Sequence, residues 1–106
     1  MIVRSDVPPG VQLAMTIHAA GWSAQLPTAS RAAPPTVAVA LAATPAQLAA
    51  LAAMLDVPHV CVHEPDPPWH GALMAIGVVP IARARVRRLL AHLPLVRGKD
   101  DRDPGR

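Results

Sequence analysis

Two hydrophobic periods alternate along this chain, and the points where one gives way to the other divide it into seven elements. Met1 to Arg4 (MIVR) reads as a short buried strand, and Asp6 to Gly10 (DVPPG) as a turn whose prolines exclude helix until Gly10. From Val11 to about Trp22 the spacing is helical. Leu13, Ile17 and Ala20 form one stripe, Val11, Met15, His18 and Trp22 the stripe beside it, and Gly21 marks the end. Ser23 to Pro35, rich in Ala, Ser, Thr and Pro, is expected to be an irregular exposed connection. Thr36 to Leu41 (TVAVAL) alternates as a strand does.

The second half is more sharply punctuated. Thr44 is a helix N-cap, Pro45 suits the first helical position and Gln47 completes a capping box, so a helix is predicted to about Leu55 with Leu48, Leu51, Ala52 and Leu55 on the core. His59 to His63 (HVCVH) is a strand with Val60 and Val62 on one face and His59, Cys61 and His63 on the other. Leu73 to Val79 (LMAIGVV) is too continuously apolar for an edge and reads as a central strand, ended by Pro80. Ile81 to His92 is the last helix, with Ala82, Val86, Leu89, Leu90 and Leu93 inward and Arg83, Arg85, Arg87 and Arg88 outward.

The order is β-α-β-α-β-β-α. Helical crossovers between strands require parallel neighbours, and the short link between the last two strands allows an antiparallel pair. The fold class is therefore α/β, a mixed four-stranded sheet flanked by helices in two or three layers. Residues 1–96 form one domain and 97–106 a charged tail expected to be disordered.

Composition changes this picture in two places. Ala32 to Leu55 carries no charge over 24 residues, yet Pro34, Pro35 and Pro45 interrupt it and alanine gives little hydrophobic drive, so it is a strand and a helix rather than a membrane span. Charge is uneven. Residues 1–82 carry a net −2 and residues 83–106 a net +5, together the +3 of the chain, which points to an anionic partner, nucleic acid first, or else to a solvated helix face. A single cysteine excludes an intramolecular disulfide, and no basic segment followed by an apolar run opens the chain, so a cytoplasmic protein is expected.

Chemistry concentrates in Cys61 to Leu73 (CVHEPDPPWHGAL), which holds the only Glu, the only Cys, one of two Trp and two of five His. A stiff polar loop between two buried strands is where function is expected. Glu64 and Asp66 suit a general base that orients water, although Asp66 also suits a turn cap. His59, Cys61 and His63, closed by His70 or Glu64, sketch a metal site that no CxxC or HxxxH spacing supports; the reading is no metal and no cofactor. Cys61, mid-strand, reads as buried and inert, and no nucleophile elbow or glycine-rich phosphate loop occurs. His18 reads first as a half-buried histidine bonded to backbone and second as a catalytic group. Arg83, Arg87 and Arg88 suit phosphates, and Trp69 suits either a stacked base or a core plug.

Val3-Arg4-x-Asp6, then Gly10, Ala14 and His18-Ala19, with Ile76-Gly77, Pro80 and His92-Leu93-Pro94-Leu95 further on, make residues 3–95 resemble the type II peptidyl-tRNA hydrolase family of archaea and eukaryotes, most of all its shorter, divergent members. The match rests on the order of elements and on coverage, since no single motif is long. The resemblance implies a mixed-sheet α/β fold and hydrolysis of the ester between a peptide and tRNA. It puts Glu64 near the family's aspartate after the third strand. Val11 stands where the family has a lysine and Met15 where it has a glutamine. The threonine that follows the aspartate has no counterpart in the shortened Pro65-Asp66-Pro67-Pro68-Trp69. Loss of a cation beside a developing oxyanion is worth on the order of 10²–10³ in rate, so the resemblance implies the fold with hydrolysis either slowed or lost.

Two functions follow as expectations. One is a divergent peptidyl-tRNA hydrolase in which Glu64 or Asp66 activates water, His18 or His63 assists, and Arg83, Arg87 and Arg88 hold tRNA phosphates. The other is a binding module that has lost catalysis and engages tRNA or a protein through those arginines and Trp69. Either way tRNA or peptidyl-tRNA is the expected partner, a homodimer is allowed, and no membrane is involved.

Overall fold

A computed structural model describes residues 1–27, 38–80 and 83–96. The expected tail over 97–106, most of the connection over 23–35 and the first residues of the expected strand at 36 and 37 lie outside that set, as do Ile81 and Ala82 of the last helix. The elements are β1 (Ile2–Arg4), α1 (Pro9–Ser23), β2 (Leu41–Ala43), α2 (Pro45–Met54), β3 (His59–Glu64), β4 (Ala72–Val78), a 3-10 turn (Arg83–Arg85) and α3 (Arg87–Leu90).

They build a four-stranded mixed sheet in the order β2-β1-β4-β3. β1 and β2 are parallel and joined by the α1 crossover, while β4 lies antiparallel to both β1 and β3. β4 is central and largely buried, as its unbroken apolar run requires. Alternate strand residues feed two cores. Ile2 and Ile76 face Leu48, Leu51 and Leu55 of α2 together with Val86 and Leu93. Val3, Val62 and Met74 face Met15 and Ala19 of α1. The domain is thus α1, sheet, then α2 with the C-terminal segment. Outside β2, Ala42 N–H donates to Pro94 O and Val96 N–H to Ala40 O (2.8 and 2.9 Å), so residues 94–96 cover that edge.

Local chemistry explains where the elements begin and end. Thr44 Oγ1 accepts from Gln47 N–H (3.1 Å) and Gln47 Oε1 accepts from Thr44 N–H (2.9 Å), the expected capping box. Pro9 enters α1 because the first helical turn needs no N–H donor. β2 sits later than the 36–41 expected, since Met1 N donates to Val39 O (2.8 Å) and Leu41 N–H to Met1 O (2.9 Å), pairing Ile2 with Leu41.

Neither α1 nor the last helix is settled by periodicity alone. The stripe Leu13, Ile17, Ala20 is not the buried face of α1: Leu13 and Ile17 are 64% and 61% exposed, and the buried residues are Met15, Ala19 and Ser23. The cause is Gly77 of β4, where an added Cβ would collide with the carbonyl oxygen of Ala19. At Gly77 the α1 backbone lies so close to β4 that only the small Ala19 and Ser23 fit there, while Met15 packs further along the same face and Leu13 and Ile17 are turned out. The last helix, expected over Ile81–His92, is also broken. Val86 takes φ −117°, ψ 2°, outside helical geometry, and among the described residues of that stretch only Arg87–Leu90 is α-helical. Arg83 and Arg87, four apart, and Arg85 and Arg88, three apart, repel along a continuous helix. Val86 and Leu93 are buried and Leu89 and Leu90 pack beside them, so these four of the expected inward residues face the core, while Ala82 lies outside the described residues.

Candidate active site

With β1, β2 and β3 all pointing the same way, Arg4, Ala43 and Glu64 end their strands at one edge of the sheet. In open α/β sheets that carboxyl edge is where ligands bind. The turn after β1, the start of α1 and the loop from β3 to β4 all gather there.

Glu64 ends β3 opposite Ala72 of β4 and is half-buried. Its Oε1 accepts from Asp66 N–H at 3.0 Å, which fixes the carboxylate against its own loop. Its carbonyl accepts from Gly71 N–H (2.7 Å), while Trp69 and His70 N–H both donate to Asp66 O (2.9 and 3.2 Å). Asp66 thus supplies backbone groups that wind the loop, and its carboxylate is exposed. His70 (φ 49°) and Gly71 (φ 87°) close the turn in left-handed conformations. Glycine adopts that conformation without cost, which accounts for Gly71.

Beneath Glu64 the ladder is irregular. Val62 pairs with Ala75 but His63 with Leu73, leaving Met74 as an extra residue on β4. β-Bulges re-aim the side chains near them, which often serves an adjacent site. On β3 itself Glu64 shares the α1 side of the sheet with Val62, while His63, exposed, belongs to the other side.

Trp69 is half-buried against the α1 core with Val11, Ala14 and Ala72. The Arg4 guanidinium carbon lies 5.6 Å from its ring centroid. Arg4 also grips Asp6 in a bidentate pair, Nε to Oδ1 at 2.9 Å and Nη2 to Oδ2 at 2.7 Å. These hydrogen bonds hold the Asp6 carboxyl below the usual range and push the Arg4 guanidinium up. Gln12 Nε2 donates to Arg4 O (2.9 Å), tying the first turn of α1 to the end of β1.

The sites expected from the residues therefore divide. Glu64, Asp66 and Trp69 come together, joined by Arg4, Asp6 and Gln12, which the sequence reading did not select as site residues. The available signal was the Arg4-x-Asp6 spacing, two opposite charges at the end of a strand. His18 is exposed on α1 with its ring 6.0 Å from that of Trp22, and among the described residues no hydrogen bond links it to Glu64 or Asp66. Arg87 and Arg88 are exposed on α3, whose apolar residues join the core on the opposite side of the sheet from Trp69. Arg83 opens the 3-10 turn before them. Cys61 is half-buried and burial pushes its thiol up, which suppresses the nucleophilic thiolate. Among the described residues no group of three or more His, Cys, Asp or Glu is placed to hold a metal ion, so the His59, Cys61, His63 sketch is not assembled. Among them, too, no helix is long and apolar enough to cross a membrane.

Set beside known proteins, the chain matches no family model, no curated protein and no solved structure.

Proposed function

We propose that this chain is a divergent peptidyl-tRNA hydrolase-like protein that cleaves the ester between a peptide and tRNA, with Glu64 as the general base. The observation that carries this reading is the setting of Glu64. It is the half-buried carboxylate at the carboxyl edge of the sheet, with Oε1 held by Asp66 N–H and no hydrogen bond to Oε2 among the described residues. A carboxylate fixed through one oxygen presents the other to water. In the proposed step Glu64 takes a proton as water oxygen attacks the ester carbonyl carbon. The tetrahedral intermediate then collapses, the bond to the ribose oxygen breaks, and that oxygen leaves with the proton. The resemblance over residues 3–95 supplies the substrate class, and the α/β fold with its mixed sheet is compatible with it.

Arg4 and Trp69 position the loop rather than react, because the guanidinium is already engaged by Asp6. The exposed Arg87 and Arg88 supply charge for tRNA phosphates. The second reading, tRNA binding without turnover, draws on Val11, which brings no cation to the start of α1 where the family resembled has a lysine. The test is peptide release from peptidyl-tRNA beside tRNA binding at two salt concentrations. Salt-sensitive binding without release selects the second reading, and neither binding nor release rejects both.

A further inference from the structure

We propose that two copies of the chain associate through the outer edge of β3, pairing antiparallel about Cys61 to join their sheets into one. β2 has its outer edge covered by residues 94–96, whereas among the described residues no strand pairs with the outer edge of β3. Such a row of N–H and C=O groups is a template for another strand, and edges that stay single are commonly blocked by lysine, proline or a bulge. β3 has neither lysine nor proline within His59–Glu64, and the extra residue of the bulge lies on β4.

The register follows from the ladder. Val79 N–H donates to Pro58 O (3.0 Å), one step before the pair His59–Val78. The alternation of an antiparallel ladder then turns the backbone groups of Val60 and Val62 toward β4 and those of His59, Cys61 and His63 outward. Pairing these three outward residues with the same three of a second copy succeeds fully in a single register. Cys61 meets Cys61, and His59 meets His63, which gives about six hydrogen bonds between copies. Displacement by two residues in either direction loses one of the three pairs. Both ends of this register are also closed. Pro65 has no N–H to offer, and the carbonyl of Val57, which would lie opposite it, is already within 2.8 Å of His59 Nδ1. Val60 and Val62 stand opposite each other across the same junction, on the α1 side of the sheet. The strand is therefore complementary to itself in length, apolar pattern and hydrogen bonding, as a two-fold interface requires. No anionic partner such as RNA offers that complement.

Cys61 is the only cysteine in the chain and reports the register directly. Residues opposite one another at a hydrogen-bonded pair have Cα atoms about 5.5 Å apart, within disulfide range. Full-length protein is examined by sedimentation across a concentration series and then treated with copper phenanthroline or a short bis-maleimide. A dimer in sedimentation and a covalent dimer that disappears in Cys61→Ser are expected. His63→Pro, which removes an outward N–H from each copy while leaving the bonds to β4 intact, is expected to weaken association by roughly tenfold or more. A chain that stays monomeric at every concentration overturns the proposal. So does a dimer that neither reagent joins at Cys61, which would place the contact on another surface. Should His63→Pro not fold, as judged by circular dichroism, the Cys61 reaction alone decides.

Discussion

Arg4 lies over the indole of Trp69, its guanidinium carbon 5.6 Å from the ring centroid, and so connects the end of the first strand to the loop between the last two. The same guanidinium is locked to Asp6, so the cation is held in place by one partner and stacked on another. Removing the ring in Trp69→Ala takes away half-buried apolar surface and the cation contact together. It is expected to cost about 2–3 kcal/mol in urea unfolding. A double-mutant cycle with Arg4→Ala is expected to give a coupling of about 0.5–1 kcal/mol, and additive effects would show that the stack carries no energy.

Acid weakens the Arg4–Asp6 pair in a defined direction. Hydrogen bonding to Arg4 depresses the folded-state pKa of Asp6, so its contribution is complete above the unfolded carboxylate value, about 3.9, and is lost as pH falls through the folded value. Because the Asp6 carboxylate is solvent-exposed, that contribution is below about 1 kcal/mol. Asp6→Asn is accordingly expected to be less stable than the parent at pH 7 and to converge on it as pH falls through the depressed folded value. Urea midpoints across that range give the comparison.

Gly77→Ala tests the close approach of α1 to β4. The added methyl would meet the Ala19 carbonyl and lie 3.0 Å from Ser23 Cβ. Backbone cannot yield as a flexible side chain does, so a loss of about 2–3 kcal/mol is expected. An unchanged unfolding midpoint would mean that the helix can shift off the sheet freely.

The same contact shows what the sequence could and could not reveal. The capping box at Thr44 and Gln47, the apolar run of β4 and the alternation of β3 are local signals, and each was legible. The phase of α1 was not. Leu13 and Ile17 outweigh Ala19 and Ser23 on any hydrophobic reckoning, yet Ala19 and Ser23 are buried beside Met15 because Gly77, nearly 60 residues away, draws the helix in. The site divides likewise. Glu64 stood out as the lone glutamate in a stiff polar loop, whereas the stacking of Arg4 on Trp69 joins residues from opposite ends of the domain. The arginines of the last helix were visible as a charged face, whereas the break at Val86 has no single-residue signal in the sequence.

Thr44→Ala isolates one of the legible signals. It removes the acceptor for Gln47 N–H at an exposed position, and a loss of about 1 kcal/mol is expected with the fold unchanged. A difference below a few tenths would mean that water replaces the cap.

The central claim, that Glu64 works as a base on the ester of peptidyl-tRNA, is tested most directly by measuring peptide release with the parent chain and with Glu64→Ala side by side. Release by the parent above the uncatalysed rate, falling by about 10²-fold or more in Glu64→Ala, is the predicted result. Release that is absent from the parent, or unchanged in Glu64→Ala, would contradict it.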